Sequence, residues 1–229
     1  CIETDTYRPN LVKQNFIVEK PNSIWVSDIT YVKVNTSIAY VCVIIDLFSR
    51  KVVSHAVAEF ADAELTIHTF KLAYQNRNHP QGLTFHSDQG AQYTAFSFRQ
   101  LLLDFNVHQS FSDIGNPLDN AVAESFFASL KKEQFKFHFY ETVSELEESL
   151  SEYIDFYNDY RPHECLKQQT PNQFEESYQQ KNKGESIRYC PKITVPNTLA
   201  LSVGGGDGSR THVRKEFSVG APGAGDQQH

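Results

Sequence analysis

The nine residues HSDQGAQYT, at positions 86–94, constrain this chain more than any other stretch. A short apolar run at 82–85 stops there and Gly90 breaks its continuation. Asp88 therefore falls at a strand end, where the ligand clefts of open α/β sheets lie. Downstream, DNAVAESFFASLKKE at 119–133 has amphipathic helical spacing, with Ala123, Phe126, Phe127 and Leu130 on one face. On that helix Glu124 and Lys131 stand two turns apart and share nearly one line. A third acid, Asp28, lies in the alternating run IWVSDITYV, whose Ile24, Val26, Asp28, Thr30 and Val32 point the same way. A carboxylate among such neighbours is costly to bury unless it is paired or holds a cation.

The periodicity around these acids predicts strands at 24–34, 38–47 and 51–58, joined by short hairpins into an antiparallel meander. A helix over 62–76 follows, with Asp62 as its N-cap. Next come a strand at 83–86, a helix at 94–105 and a strand at 107–110. Residues 111–118 read as a pliable loop, after which Asp119 caps a helix and Leu118 acts as its hydrophobic staple. A helix at 142–157 and a turn-rich closing segment at 158–174 complete the pattern. Crossover helices between the later strands imply parallel pairing, hence an α/β fold with a five-stranded mixed sheet flanked by helices. The domain reading is a lead-in segment at 1–22, a core at 23–180 and a tail at 181–229.

Asp28 in WVSDITYV, Asp88 in HSDQGAQYT and Glu124 in DNAVAESFF, with 35 residues between the last two, resemble the DDE triad of retroviral-integrase-type transposases. The match is closest to the insertion-sequence branch and extends over about residues 15–178. DLFSRKVV at 46–53, Lys131, and YNDYRPHECLKQQTPNQF at 157–174 are collinear with it. The resemblance implies a ribonuclease-H-like fold and Mg²⁺-dependent DNA cleavage and strand transfer, with Mn²⁺ able to substitute. It makes Asp28, Asp88 and Glu124 both the catalytic and the metal-binding residues, Asp28 bridging the ions. It implies a DNA contact at Lys131, and Asn120 and Arg161 are further candidate DNA contacts, Asn120 otherwise supporting the capped turn. Its partners would be transposon ends and target DNA, bound by a homo-oligomer in the bacterial cytoplasm and at the nucleoid. Ile114 departs from the pattern, standing where relatives often carry a basic residue.

The chemistry explains why acids are wanted. Breaking or joining a phosphodiester needs an activated oxygen nucleophile, stabilised charge on the phosphoryl oxygens and a tolerable alkoxide leaving group. Two Mg²⁺ ions answer all three demands, and Mg²⁺ takes hard oxygen ligands while keeping several waters.

Composition sets limits on this reading. The chain has 229 residues, 40% hydrophobic and 13% aromatic, which describes a globular protein. No apolar run approaches a membrane span and no charged-then-apolar leader opens the chain, so we expect a soluble intracellular protein without a membrane partner. Four scattered cysteines without CxxC indicate neither a zinc ribbon nor a disulfide framework, and Cys42 reads as a core residue. The net charge of −7 argues against coating DNA nonspecifically, so basic contacts must be local or supplied from elsewhere. A chain opening at Cys1 without any methionine reads as a fragment that lacks an upstream DNA-binding segment. The Gly-rich stretches GGGDGSRTH and VGAPGAGDQQH lack periodicity, so the tail reads as a disordered extension.

Simpler readings stand beside these. Asp28 alone could be bonded to backbone amides, Asp88 could initiate a turn, and Glu124 could be a solvated helix residue. Lys131 could be a surface lysine in an ion pair. His86 suits a structural hydrogen bond, Arg161 and His163 a packed connection, Arg50 a hairpin turn, and Asp113 a loop. Asp46 is a neighbour of Asp28 outside the triad. The rival functions are a hydrolytic ribonuclease-H-like nuclease and a non-catalytic remnant.

Overall fold

A computed structural model describes residues 9–183, Ile114 excepted. The start of the lead-in segment, Ile114, Cys1, Cys190 and the tail from residue 184 lie outside the described residues. Three antiparallel strands come first: β1 (Ile24–Val34), β2 (Ser37–Asp46) and β3 (Val52–Ala58). Helix α1 (Ala63–Asn76) begins where the Asp62 carboxylate accepts from the Leu65 amide, the anticipated cap. Strands β4 (Thr84–Ser87) and β5 (His108–Phe111) then add in parallel, giving the sheet order β3-β2-β1-β4-β5. This is the five-stranded mixed sheet expected.

Both faces of the sheet are covered, because β1 is apolar on both sides along its first half. Val26, Val32 and Val34 pack with Ala123, Phe126, Phe127 and Leu130 of α4 (Ala121–Glu133) and with Leu146, Leu150 and Tyr153 of α5 (Val143–Asp159). Trp25, on the opposite side, packs with Phe70 of α1 and with Phe98 and Leu102 beyond it. Burial of each such large side chain contributes roughly 1.5–3 kcal/mol. Cys42 is fully buried, as its setting suggested. Arg50 turns the β2–β3 hairpin from the left-handed region, at φ 62°, and donates its amide to Asp46 O at 2.8 Å.

Four details differ from the sequence pattern. The helix expected at 94–105 is two helices, α2 (Ala91–Thr94) and α3 (Phe96–Asp104), because Ala95 between them is extended with ψ 139°. The segment expected to be only turn-rich ends in a helix, α6 (Pro171–Lys183). Its start is a capping box: Gln173 N donates to Thr170 Oγ1, Thr170 N donates to Gln173 Oε1, and Pro171 occupies the first helical position. Asp119 does not cap α4. The chain enters α4 through a 3₁₀ turn, Pro117–Asn120, with Asn120 at the cap position and no side-chain cap bond. Leu118 is 60% exposed, so it staples nothing.

The Asp119 carboxylate is instead buried as an organiser of the loop before α4. It accepts from Asn10 Nδ2 at 2.8 Å, from the Asp113 amide at 2.9 Å and from Asn116 Nδ2 at 3.0 Å. On the other side of the fold α6 is anchored by Arg77, whose guanidinium donates to Asp46 and Glu175, while Ser49 Oγ donates to Glu175 Oε1. Asp46 is thereby a structural ion-pair partner and not the neighbour of Asp28 expected, since the register sets it opposite Trp25 and sets Val43 opposite Asp28.

Candidate active site

The parallel pairing of β1 with β4 brings two of the three acids together. Val26 is in register with His86, so Asp28 and Asp88 each lie two residues past the last pair, on neighbouring segments. Glu124 arrives from the first turn of α4, whose apolar face is pinned to β1. All three line one cleft of about 390 Å³, together with Gln89, Ser112, Asp113, Gly115, Asn116 and Asn120.

The bonds of these carboxylates are partial. Asp28 Oδ1 accepts from the Ile29 amide at 2.8 Å and Asp88 Oδ1 from the Gly90 amide at 3.0 Å, so both simple readings of those acids describe one oxygen each. Burial, reinforced by the charges of Asp88 and Glu124 and offset by the Ile29 amide and Lys131, pushes the Asp28 carboxyl up to about 7. A carboxyl so poised holds a proton or a cation near neutral pH.

Among the described residues, no group of three or more His, Cys, Asp or Glu side chains is gathered closely enough to clamp a metal ion. The donor chemistry nevertheless fits one. The cleft offers hard oxygens, the kind Mg²⁺ and Mn²⁺ take, and Asn120 Oδ1 is buried in its wall without any partner.

The remaining expected residues separate. Lys131 is exposed with its ammonium 6.0 Å from the Tyr31 ring centroid, and its charge is felt at Asp28. It therefore lies near Asp28 without lining the cleft, and among the described residues it makes no ion pair with a helical neighbour. Asn120 is buried, its Nδ2 donating to Ser27 O at 3.2 Å. The fork of Arg161 is closed on Glu133, with Nη2 at 2.8 Å from Oε1, and stands over the Tyr157 ring. That is the packed connection, and His163, edge-on to Tyr157, belongs to it. His86 is likewise structural: Nδ1 meets Ser110 Oγ at 2.8 Å and Nε2 meets Ser112 Oγ at 3.2 Å, and burial drives its pKa down to about 4.

Several supports carried no sequence signal of their own. Tyr93, fully buried, shares a 2.8 Å hydrogen bond with Ser27 Oγ and so ties the segment after Asp88 to the strand of Asp28. Gln109 Nε2 donates to Tyr93 O, fixing the same segment from β5. Asn10 reaches the Asp119 loop from the lead-in segment. Only Tyr93 was findable, as an aromatic inside the motif itself.

One carboxylate on β1, a second just beyond the parallel strand β4 and a third on α4 thus line one cleft, the arrangement of an integrase core. Models of the integrase core domain match residues 18–117 and 106–171. The fold is ribonuclease-H-like: a simian T-cell lymphotropic virus intasome chain superposes with TM-score 0.59 at 21% identity, over 80% of this chain and 62% of its own. The HTLV-2 integrase catalytic core domain, in complex with magnesium, does so with TM-score 0.54 at 18% identity, over 69% and 97%. Among curated proteins, the transposase for insertion sequence element IS904 of Lactococcus lactis is 38% identical over 73% of this chain and 67% of its own length. The transposase InsK for element IS150 of Escherichia coli, described as putative, is 36% identical over 72% and 59%. The chain belongs to the family of insertion-sequence transposases with an integrase core domain. It spans about three fifths to two thirds of the length of these curated relatives.

Proposed function

We propose that this domain catalyses metal-dependent DNA strand cleavage and strand transfer during transposition, with Asp28, Asp88 and Glu124 holding Mg²⁺. The observation that carries the reading is that these three carboxylates, from elements far apart in sequence, line one cleft. Relatives of the same family named as transposases support the reaction class, and the magnesium complex of the HTLV-2 core supports the choice of cofactor.

When bound, Mg²⁺ supplies activation of the attacking oxygen and neutralisation of charge on the departing one. The chain supplies the rest. Asp28, fixed by its strand register and the Ile29 amide, presents a second oxygen to the cleft. Asp88 is set by its turn with Gly90, and Glu124 by the packing of α4. Lys131 attracts a DNA phosphate to the rim, offsetting the acid charge that otherwise repels it. The substrates are transposon ends and target DNA, joined through a 3′ hydroxyl by a multimer of this protein.

Supplying labelled DNA ends with a free 3′ hydroxyl, target DNA and Mg²⁺ to the protein tests this. Joined products that vanish in Glu124→Gln are expected. Hydrolysed ends without joined product would make the protein a nuclease, and no metal-dependent product would make it a remnant.

A further inference from the structure

The carboxylates are not the whole wall of the cleft. Asn120 is 5% exposed and its amide is locked one way round, because Nδ2 donates to Ser27 O, the carbonyl just before Asp28. Reversed, it would set oxygen against oxygen. The atom left over is Oδ1, which is buried and accepts nothing from the protein. An acceptor in that condition is costly to leave unmatched. Gln89, from the turn between β4 and α2, is exposed but held in a similar way: Nε2 donates to Ser112 O at 3.0 Å, and the side chain lines the same cleft. With the three carboxylates, the lining is rich in acceptors. A ligand that satisfies it must bring many donors.

The waters held by a divalent cation are such donors, polarised by the ion, and Mg²⁺ gives them up reluctantly. We infer that Asn120 and Gln89 grip the water shell of the cation, as an outer ring of acceptors that recognises a hydrated ion. This moves Asn120 from the DNA contact expected of it to the ion, and it rests on the cation reading of the carboxylates. The chemistry it selects for is a hydrated divalent ion, not a bare one.

The test is binding of Mg²⁺ alone to the full chain, without DNA, by calorimetry and melting temperature, for the unsubstituted protein, Asn120→Ala, Gln89→Met and Asp88→Asn. Outer contacts of this kind are worth about 10–100-fold in metal affinity. Asn120→Ala is expected to weaken Mg²⁺ binding within that range and Gln89→Met to weaken it less, while Asp88→Asn abolishes it. Should Asn120→Ala fail to fold, Gln89→Met decides, since Gln89 is exposed and outside the core. Amide variants that bind Mg²⁺ as tightly as the unsubstituted protein, beside a silent Asp88→Asn, overturn the outer ring and leave the carboxylate reading intact. No Mg²⁺ binding by the unsubstituted protein overturns both.

Discussion

Asn10 donates its amide to the buried carboxylate of Asp119 across 2.8 Å, joining the lead-in segment to the loop that delivers Asn120 and Glu124. The same carboxylate holds the Asp113 amide and Asn116 Nδ2. Asp119→Ala strands these donors, so it is expected to lower stability by about 1–3 kcal/mol. Asn10→Ala is expected to cost less, and urea denaturation of both variants measures the difference. Equal stability of Asp119→Ala and the unsubstituted protein would contradict the organising role of this carboxylate.

Mg²⁺ is expected to raise the melting temperature. The Asp28 carboxyl is half-buried and shares its cleft with Asp88 and Glu124, so a cation that binds only the folded state relieves their repulsion and stabilises it by mass action. Asp88→Asn is expected to abolish the shift and the strand transfer together. Differential scanning fluorimetry across a Mg²⁺ titration reads the first effect, and a flat profile for the unsubstituted protein would count against the site.

Arg77 stands between Asp46, fully buried, and Glu175, nearly so. Arg77→Leu leaves the buried Asp46 without its cation and Glu175 with only Lys51, 4.0 Å away, and removing one partner from a buried ion pair costs about 3–5 kcal/mol. We expect a loss of that size in chemical denaturation, together with release of α6, read as faster proteolysis near residue 171. A loss below about 1 kcal/mol would show the network to be dispensable.

His55, on β3, meets Ser151 Oγ of α5 at 3.1 Å, and burial holds its pKa below the ordinary 6.5, against an opposing pull from Asp155. The unfolded chain then binds this proton more readily than the folded one. Stability is therefore lost as pH falls through 6.5 towards the folded value. Asp28 works in the opposite sense, because its raised carboxyl takes up a proton on folding as pH falls below about 7. The His55 share is isolated by His55→Gln, which is expected to lose less stability than the unsubstituted protein between pH 7.5 and pH 5.5. The same change in urea midpoint between the two pH values for His55→Gln and the unsubstituted protein would remove His55 from the acid response.

Much of the fold was legible because its elements carry strong local patterns. The alternation in β1, the Asp62 cap and the apolar stripe of α4 were each read within a residue or two of where they lie. Helix α6 was missed although Thr170, Pro171 and Gln173 spell a capping box, since weak apolar periodicity followed it. Asp119 was misread because an acid before a helix normally caps it, whereas here three donors from elsewhere compete for the carboxylate. The acids of the cleft were legible as a motif. Their amide neighbours Asn120 and Gln89 were not legible as acceptors, because which end of an amide faces a cleft depends on the carbonyl that takes its other end.

The sequence by itself determined where strands and helices form and which residue types stand at their ends, since both follow from the spacing of side chains a few positions apart. Tertiary structure alone decided that Asp28 lies beside Asp88, through the parallel register of Val26 with His86. It also decided that Arg161 closes on Glu133 while the charge of Lys131 acts on Asp28. The physical reason is that strand register and hydrogen-bond partnership are settled by competition among groups far apart in the chain, each satisfied only once the sheet and its two helical layers have packed.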